Sequence, residues 1–439
     1  MSSGSLLIAG GRIIDPSSRV DVVGDLLLVK GEVCWMCQAM PRDVRAPDRV
    51  LRAGGKLVCP GFIDVHVHLR EPGFEEKETV ATGTLAAARG GFTTVCCMPN
   101  TSPPIDSPEV VEYVTEKARS AGVVRVFPIG CITRGQKGDE LVDIGALAEA
   151  GVVALSEDGW SVADAGLMRR ALEWSRLVGL PITDHCEDAG LTRGGVMNEG
   201  VVSARLGLKG MPAEAETAMV ARDIELARET GARLHIAHVS TASALDAICR
   251  AKQEGVDVTA EVTPHHLMLT EERVGEGDSL AKVNPPLRTA LDTQALLRGL
   301  GDGSIDAVAT DHAPHTVADK QCGFREAAFG ISGLETAVAV LLGLVHQGEL
   351  AVVTLVSKLS TGPARIFPRL QHLGTLAAGA PADVTIIDPE MEWTVEAEGF
   401  ASRGRNNPWV GCTMRGKVVA TIVQGNIVYL DSGLEVEEL

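Results

Sequence analysis

The chain has 439 residues, 45 % of them hydrophobic and 22 % charged, the balance of a globular enzyme. A formal charge of −18 at pH 7 speaks against a nucleic-acid backbone or an anionic membrane as partner, and it means that an anionic substrate needs local basic contacts. No run of 18 apolar residues occurs, the start MSSGSLLIAGGR lacks a basic n-region, and the ten cysteines show no framework spacing; these features predict reduced thiols in a cytoplasmic protein without a membrane helix.

Residues 5–60 read as short strands broken by turns: LLIAGGRIID, GDLLLVKGEVCWM and RVLRAGGKLVCPG. Cys34 and Cys37 form a C-x-x-C in this β-like run, without the helix start of a redox site or the second pair of a zinc site, and so read as incidental. From residue 61 to about 370 the pattern changes. Eight apolar runs alternate with helical stretches such as VATGTLAAARGG and AMVARDIELARETG. The runs are FIDVHVHL (62–69), TTVCCMP (93–99), VRVFPIG (124–130), VVALS (152–156), PITDH (181–185), RLHIAHV (233–239), VDVTAEV (256–262) and IDAVAT (305–310). Eight βα units predict a parallel sheet, and without a G-x-G-x-x-G after the first strand a (β/α)8 TIM barrel over 61–370 is favoured over an open sheet. Residues 374–431 return to alternating strands, so residues 1–60 and 371–439 are expected to pair as one small β-sandwich domain. The acidic tail DSGLEVEEL is expected to fray.

The polar residues gather at the C-terminal ends of the predicted strands, the face on which barrel enzymes build their sites. His66 and His68 lie two apart on the first strand and share a side. Asp158 follows the fourth run, His185 ends the fifth, His238 the sixth and Asp311 the eighth. Four imidazoles and two carboxylates on one rim suit zinc, and six ligands suit two ions rather than one. His235 competes with His238, but His238 lies nearer the strand end. His265 and His266 read as supporting or core residues. Arg70, Asn100, Asn284 and His315 sit on the same rim, where Arg70 offers a planar fork to a carboxylate. There is no G-x-x-x-x-G-K-[ST], H-E-x-x-H or G-x-S-x-G; Ser279-Leu-Ala-Lys282 matches S-x-x-K without its companion motifs. CITRGQKGDELVDIG after the third run is a candidate lid.

GFIDVHVHLREPG, MPNTSPP, SEDG, DHCED, HIAHVST, VTPHHL, KVNPPLR, TDHAPH, FGISGLET and SRGRNNPWVG together resemble the amidohydrolase superfamily, and within it the long bacterial class of dihydroorotases, from about residue 5 to residue 430. Related enzymes carry a carboxylated lysine at the end of strand four, where this chain has Asp158. The resemblance implies Asp158 as a bridging ligand, His66 and His68 on one zinc with Asp311, and His185 and His238 on the other. Two zinc ions per subunit are expected, with one as the alternative. It implies Arg70, Asn100 and His315 on a substrate carboxylate, and Asn284 with the backbone of Phe329 and Gly330 on a ring. The implied reaction is the reversible cyclisation of N-carbamoyl-L-aspartate to (S)-dihydroorotate, with Asp311 moving the proton. Another cyclic amidohydrolase, of allantoinase or hydantoinase type, and an inactive homologue are the alternatives. A homodimer and association with aspartate transcarbamoylase are the partners that the family suggests.

Overall fold

A computed structural model describes residues 4–37 and 46–438. The Cys37 side chain lies outside the described residues, and with it the pairing of Cys34 and Cys37. The N-terminal segment forms β1 (Ser5–Asp15), β2 (Val20–Val29), β3 (Glu32–Cys37), β4 (Arg49–Arg52) and β5 (Leu57–Pro60). The eight central runs all hold strands: β6 (Phe62–Val67), β7 (Phe92–Cys97), β8 (Arg125–Pro128), β9 (Gly130–Cys131), β10 (Leu155–Ser156) and β11 (Ile182–Asp184) come first. A small parallel pair, β12 (Met197–Asn198) and β13 (Gly210–Met211), interrupts the series before β14 (Leu234–Ile236), β15 (Val258–Val262) and β16 (Ala307–Val308). The C-terminal segment adds β17 (Val384–Thr394), β18 (Thr413–Val423), β19 (Asn426–Leu430) and β20 (Val436–Glu438).

All central strands pair in parallel, as expected where helical crossovers join them. β6, β7 and β8 form one sheet; β9, β10, β11, β14, β15 and β16 form another, and only Ile129 separates β8 from β9 along the chain. At the far side, Val67 at the end of β6 bridges His312 in parallel, and the His68 amide donates to the His312 carbonyl at 2.8 Å. Helices Val80–Arg89 and Glu214–Thr230 occupy two of the stretches predicted to be helical. The first is started by a Thr79–Thr82 capping box; the second ends at Gly231, whose φ of +65° suits a residue without Cβ. An aliphatic core of Leu, Val, Ile and Ala, with few aromatic rings, fills the space between strands and helices.

The two ends of the chain meet where β5 lies antiparallel to β17, with Val58 opposite Ile386. β1, β2, β3, β5, β17, β18 and β19 belong to one continuous sheet, with β4 and β20 attached to β1. Residues 6–9 of the long β1 pair with β4 and residues 12–13 with β5, on the two sides of an irregularity in its pairing with β2 between Ile8 and Gly11. This sheet encloses its own apolar cluster, including Leu6, Ile13, Leu26, Val384 and Ile422. The tail expected to fray is instead ordered through Glu438: β20 pairs with β4, Leu434 is buried, and Glu437 holds Arg52 at 2.7 Å. Between β17 and β18 the chain leaves this sheet, and residues 401–407 run back to the end of β16.

Candidate active site

Alternation along β6 places Ile63 and Val65 in an apolar cluster and turns Asp64, His66 and His68 to the other side. Asp64 is buried, accepts from the Thr310 amide and hydroxyl, and so ties β6 to the segment that carries Asp311. Burial raises its carboxyl to about 7. The six residues expected to bind metal converge. His66 Nε2 lies 3.2 Å from Asp158 and 3.6 Å from Asp311, and His68 Nε2 lies 3.1 Å from Asp311 and 3.5 Å from Asp158. His238 Nε2 stands 3.0 Å from His185 Nδ1, and each of these nitrogens is 3.8 Å from Asp158. Asp158 is thus within 4 Å of all four imidazoles, a central place.

Among the described residues, two ligand triads form around this centre: His66 with His68 and Asp311, and His66 with Asp158 and His238. His185 stands beside the second. The contacts behind the histidines fit a cation. His66 Nδ1 is held at 2.8 Å by Glu261 on β15, and His68 Nδ1 at 2.9 Å by Asn100 Oδ1. With both Nδ1 protons taken by outer acceptors, a tautomer assigned from this network, each Nε2 lone pair faces the centre. The buried His66 Nε2 has no hydrogen-bond partner of its own. Neutral imidazole and carboxylate are a donor set that zinc accepts, so these residues fit the metal.

The electrostatics follow from the same crowding. Burial opposes ionisation of Asp158, yet His66 foremost, with His238 and His68, holds its carboxyl well below the usual range. Asp311 is likewise opposed by burial but brought down to about 2 by the His68 hydrogen bond and the nearby histidines. Glu187 accepts from Asn284 Nδ2 at 2.7 Å and from Thr192, lies 3.3 Å from His185 Nε2, and is brought down to about 2 against its burial, His185 having the largest part. Three site residues, Arg70, His238 and Asp311, have φ of +61°, +32° and +46°, a region that costs a non-glycine residue on the order of 1 kcal/mol.

The expected substrate residues line one cavity of about 300 Å³ with these groups: Arg70, Asn100, Asn284, His315, Phe329 and Gly330. Their engagements differ. Arg70 reaches the Pro314 carbonyl at 3.3 Å and His315 Nε2 at 3.4 Å, and among the described residues no carboxylate is ion-paired with it. Asn100 spans His68 and Asp158, donating to Asp158 Oδ2 at 3.2 Å. His315 Nε2 sits 2.8 Å from the Phe329 carbonyl, and burial, with the Arg70 charge, lowers its imidazole to about 3. Asn284 keeps a buried Oδ1 without a partner. His235 lies outside the cavity and binds Glu261 at 3.0 Å; His266 is bound to Thr263 and the Pro285 carbonyl. The segment 131–145 is pinned through Thr133 to Glu157, and Gln136 touches the Asp158 carbonyl at 3.4 Å.

Sequence reasoning missed Glu261, Asp64, Glu187 and Asn406. Asp64 and Glu261 left a signal, a carboxylate inside an apolar strand run. Asn406 lay within the SRGRNNPWVG motif without a role assigned to it: from the returning C-terminal segment it donates to the Ala313 and Gly330 carbonyls and accepts from the His315 amide.

A family model described as Dihydro-orotase-like matches residues 55–244. The dihydroorotase of Anaeromyxobacter sp. (strain K) is 52 % identical over 428 residues, covering 97 % of this chain and 98 % of the relative. That of Pelotomaculum thermopropionicum is 52 % identical over 429 residues, 97 % and 99 % of the two chains. Among solved structures, the L-hydantoinase (dihydropyrimidinase) of Arthrobacter aurescens superposes with a TM-score of 0.87 at 26 % identity, covering 99 % and 97 %. The D-hydantoinase (dihydropyrimidinase) of a Thermus species gives 0.84 at 26 % identity over the same shares. These structures share the arrangement of parallel strands and helices with an attached β domain. With about half of its residues identical to those of the Anaeromyxobacter and Pelotomaculum dihydroorotases along nearly the whole length, the chain belongs to the dihydroorotase family of cyclic-amide hydrolases.

Proposed function

We propose that the chain interconverts N-carbamoyl-L-aspartate and (S)-dihydroorotate in de novo pyrimidine biosynthesis, using zinc held by His66, His68, Asp158, His185, His238 and Asp311. The observation that carries the substrate assignment is Arg70, a guanidinium in the metal-facing cavity with no carboxylate partner among the described residues. Such a group is a ready clamp for the one carboxylate that survives ring closure. A hydantoin or dihydropyrimidine ring has no carboxylate to place there.

A divalent metal supplies Lewis acidity to the amide carbonyl and to the attacking water. The chain's own residues do the rest. Arg70 fixes the ring carboxylate, and the free Oδ1 of Asn284 is suited to a ring N–H. Asp311, ionised at neutral pH, takes a proton from the attacking water and returns it to the amide nitrogen as the C–N bond breaks. In the synthetic direction it accepts the proton of the ureido nitrogen and gives it to the departing carboxyl oxygen. Ring closure consumes one proton overall, so lower pH favours dihydroorotate. Glu261 and Asn100 keep His66 and His68 oriented.

The site rests on the eight parallel strands as a closed (β/α)8 barrel over residues 61–370, a reading supported by the Val67–His312 bridge. Residues 1–60 and 371–439 form the companion domain. The complement in this reading is two zinc ions, with one as the alternative; the six ligands gathered around Asp158 support it. A homodimer, contact with aspartate transcarbamoylase and a cytoplasmic location complete the reading; no described helix is long and apolar enough to cross a membrane. The test is dihydroorotate hydrolysis by purified protein, followed by ring absorbance, before and after chelation and zinc restoration. Turnover lost to the chelator and regained with zinc is the expected result. A zinc-loaded protein that leaves dihydroorotate intact but opens a hydantoin overturns the assignment.

A further inference from the structure

Lys320 ends the short helix Val317–Lys320 and is buried, 3 % exposed. Its ammonium donates to three backbone carbonyls: Ala328 at 2.8 Å, Gly330 at 3.1 Å and Lys282 at 3.2 Å. Among the described residues it has no ion-paired carboxylate. A buried cation without a counter-charge is costly, and only an ammonium brings three donors to one point. Burial, with Lys282 adding like charge, pushes Lys320 down to about 7 against the weaker pull of Asp278, Cys322 and Asp319.

The Ala328 and Gly330 carbonyls belong to the wall that carries Phe329 and Gly330 into the substrate cavity, and the Lys282 carbonyl belongs to the neighbouring turn. The Gly330 amide donates to the Lys282 carbonyl at 3.0 Å, and the Ala328 amide to Asp319 at 2.9 Å. Lys282 itself caps the Phe324 and Arg325 carbonyls and stands 4.5 Å over the Phe329 ring. From the opposite direction Asn406 donates to the Gly330 carbonyl at 3.0 Å. Gly330 has φ of +140°, and a Cβ there would meet Ala313 at 2.7 Å, so the backbone is seated directly on the segment holding Asp311 and His315.

We infer that Lys320 is a positioning residue: its ammonium fastens the Phe329–Gly330 wall to the Lys282 turn and thereby sets substrate affinity without touching the substrate. The kinetic part rests on the dihydroorotate reading above; the structural part does not.

The experiment compares the full-length zinc-loaded protein with Lys320→Met and Lys320→Arg. Amide hydrogen exchange of peptides spanning 324–332 is expected to accelerate about tenfold or more in Lys320→Met, as befits loss of a charge-assisted clamp, while β14 and β15 exchange as before. KM for dihydroorotate rises by about the same factor with kcat within about threefold, and Lys320→Arg recovers part of both effects. Unchanged exchange in 324–332 overturns the clamp whatever the activity. Faster exchange spread over β14 and β15, or equal losses in kcat and kcat/KM at unchanged KM, assigns Lys320 a merely structural part and overturns the inference. If Lys320→Met does not fold, Lys320→Arg decides: exchange and KM identical to the parent protein overturn it, and graded changes in both support it. A parent protein inert toward dihydroorotate fails the functional reading alone, since exchange still decides the clamp.

Discussion

Glu261→Gln isolates what the carboxylate behind His66 contributes. Glu261 is buried and accepts from two imidazoles at once, His66 Nδ1 at 2.8 Å and His235 Nε2 at 3.0 Å. Burial opposes its charge, but these two histidines hold its carboxyl well below the usual range. A glutamine of the same shape has one acceptor oxygen and one amide donor. It satisfies one histidine and turns an N–H toward the other, leaving a buried donor unpaired. That costs about 1–3 kcal/mol. If His66 keeps its Nε2 lone pair inward, the cost falls on folding stability; if the ring flips or its tautomer changes, it falls on the metal. His66 belongs to both ligand triads, so the second route dominates. At about 1.4 kcal/mol per decade, zinc affinity falls roughly 5- to 150-fold, a span that brackets the roughly 10- to 100-fold typical of outer partners of metal-binding histidines. The assay is competition for zinc against a chromophoric chelator at fixed pH, with thermal unfolding of the metal-free proteins measured alongside. Zinc affinity within about twofold of the parent protein, together with an unchanged unfolding midpoint, would refute the reasoning, since the lost acceptor must appear in one of the two.

Other perturbations separate the roles further. Asp311→Asn leaves no proton acceptor in the place held by a carboxylate at about 2, and kcat is expected to fall by roughly three decades or more; a loss under tenfold in the zinc-loaded variant, with zinc content verified by elemental analysis, removes Asp311 from proton transfer. Arg70→Met removes the unpaired guanidinium and should raise KM for dihydroorotate by about 10- to 100-fold, the worth of a charge-assisted contact; steady-state kinetics showing an unchanged KM would contradict the clamp. Glu335 accepts from the Ala401 and Ser402 amides, and burial raises it to about 7. Its folded value lies above its unfolded one, so its stabilising share is complete below about pH 4.5 and is lost as pH rises through 7, about 3 kcal/mol at most. Urea unfolding from pH 4.5 to 8 should show this decline relative to Glu335→Gln, and parallel curves would exclude it.

The strand series and the ligand set were legible because both are written locally. An apolar run ending in histidine or aspartate marks a strand end, and H-x-H fixes a shared side. The observed strands are shorter than the runs, β10 and β16 being two residues each, because the ends of those runs are the segments that turn out of the sheet to serve the site. His238 and Asp311 are cases of this: each sits just past a strand with positive φ. Nothing in a non-glycine sequence marks such a conformation, since long-range hydrogen bonds such as that of His68 to His312 impose it. The supporting contacts were illegible for the same reason. Asn406 lies 91 residues from His315, Glu261 lies 195 from His66, and only closure of the fold makes them neighbours. The order of the tail is illegible for the same reason: its partner strand β4 lies about 385 residues away, and Arg52 on that strand meets Glu437.

The charges gathered in the cluster explain why metal binding and folding belong together here. Asp158 and Asp311 face the cavity, and Glu261 and Glu187 stand behind His66 and His185. Arg70 is the one lysine or arginine among the cavity-lining residues. Four carboxylates against one fixed cation is an imbalance that a buried site does not sustain with neutral histidines. Against the pull of burial, His66 rises well above the ordinary histidine value through Asp158 and Glu261, and His185 rises through Glu187 and Asp158. Protons therefore supply the missing positive charge when no metal is bound, and divalent ions replace them. The carboxylates behind the ligands serve both states. They hold each imidazole in place, and they make the pocket negative enough to favour divalent cations. Arg70, held on the cavity wall by the Pro314 carbonyl and beside His315, offers an anionic substrate a positive charge there.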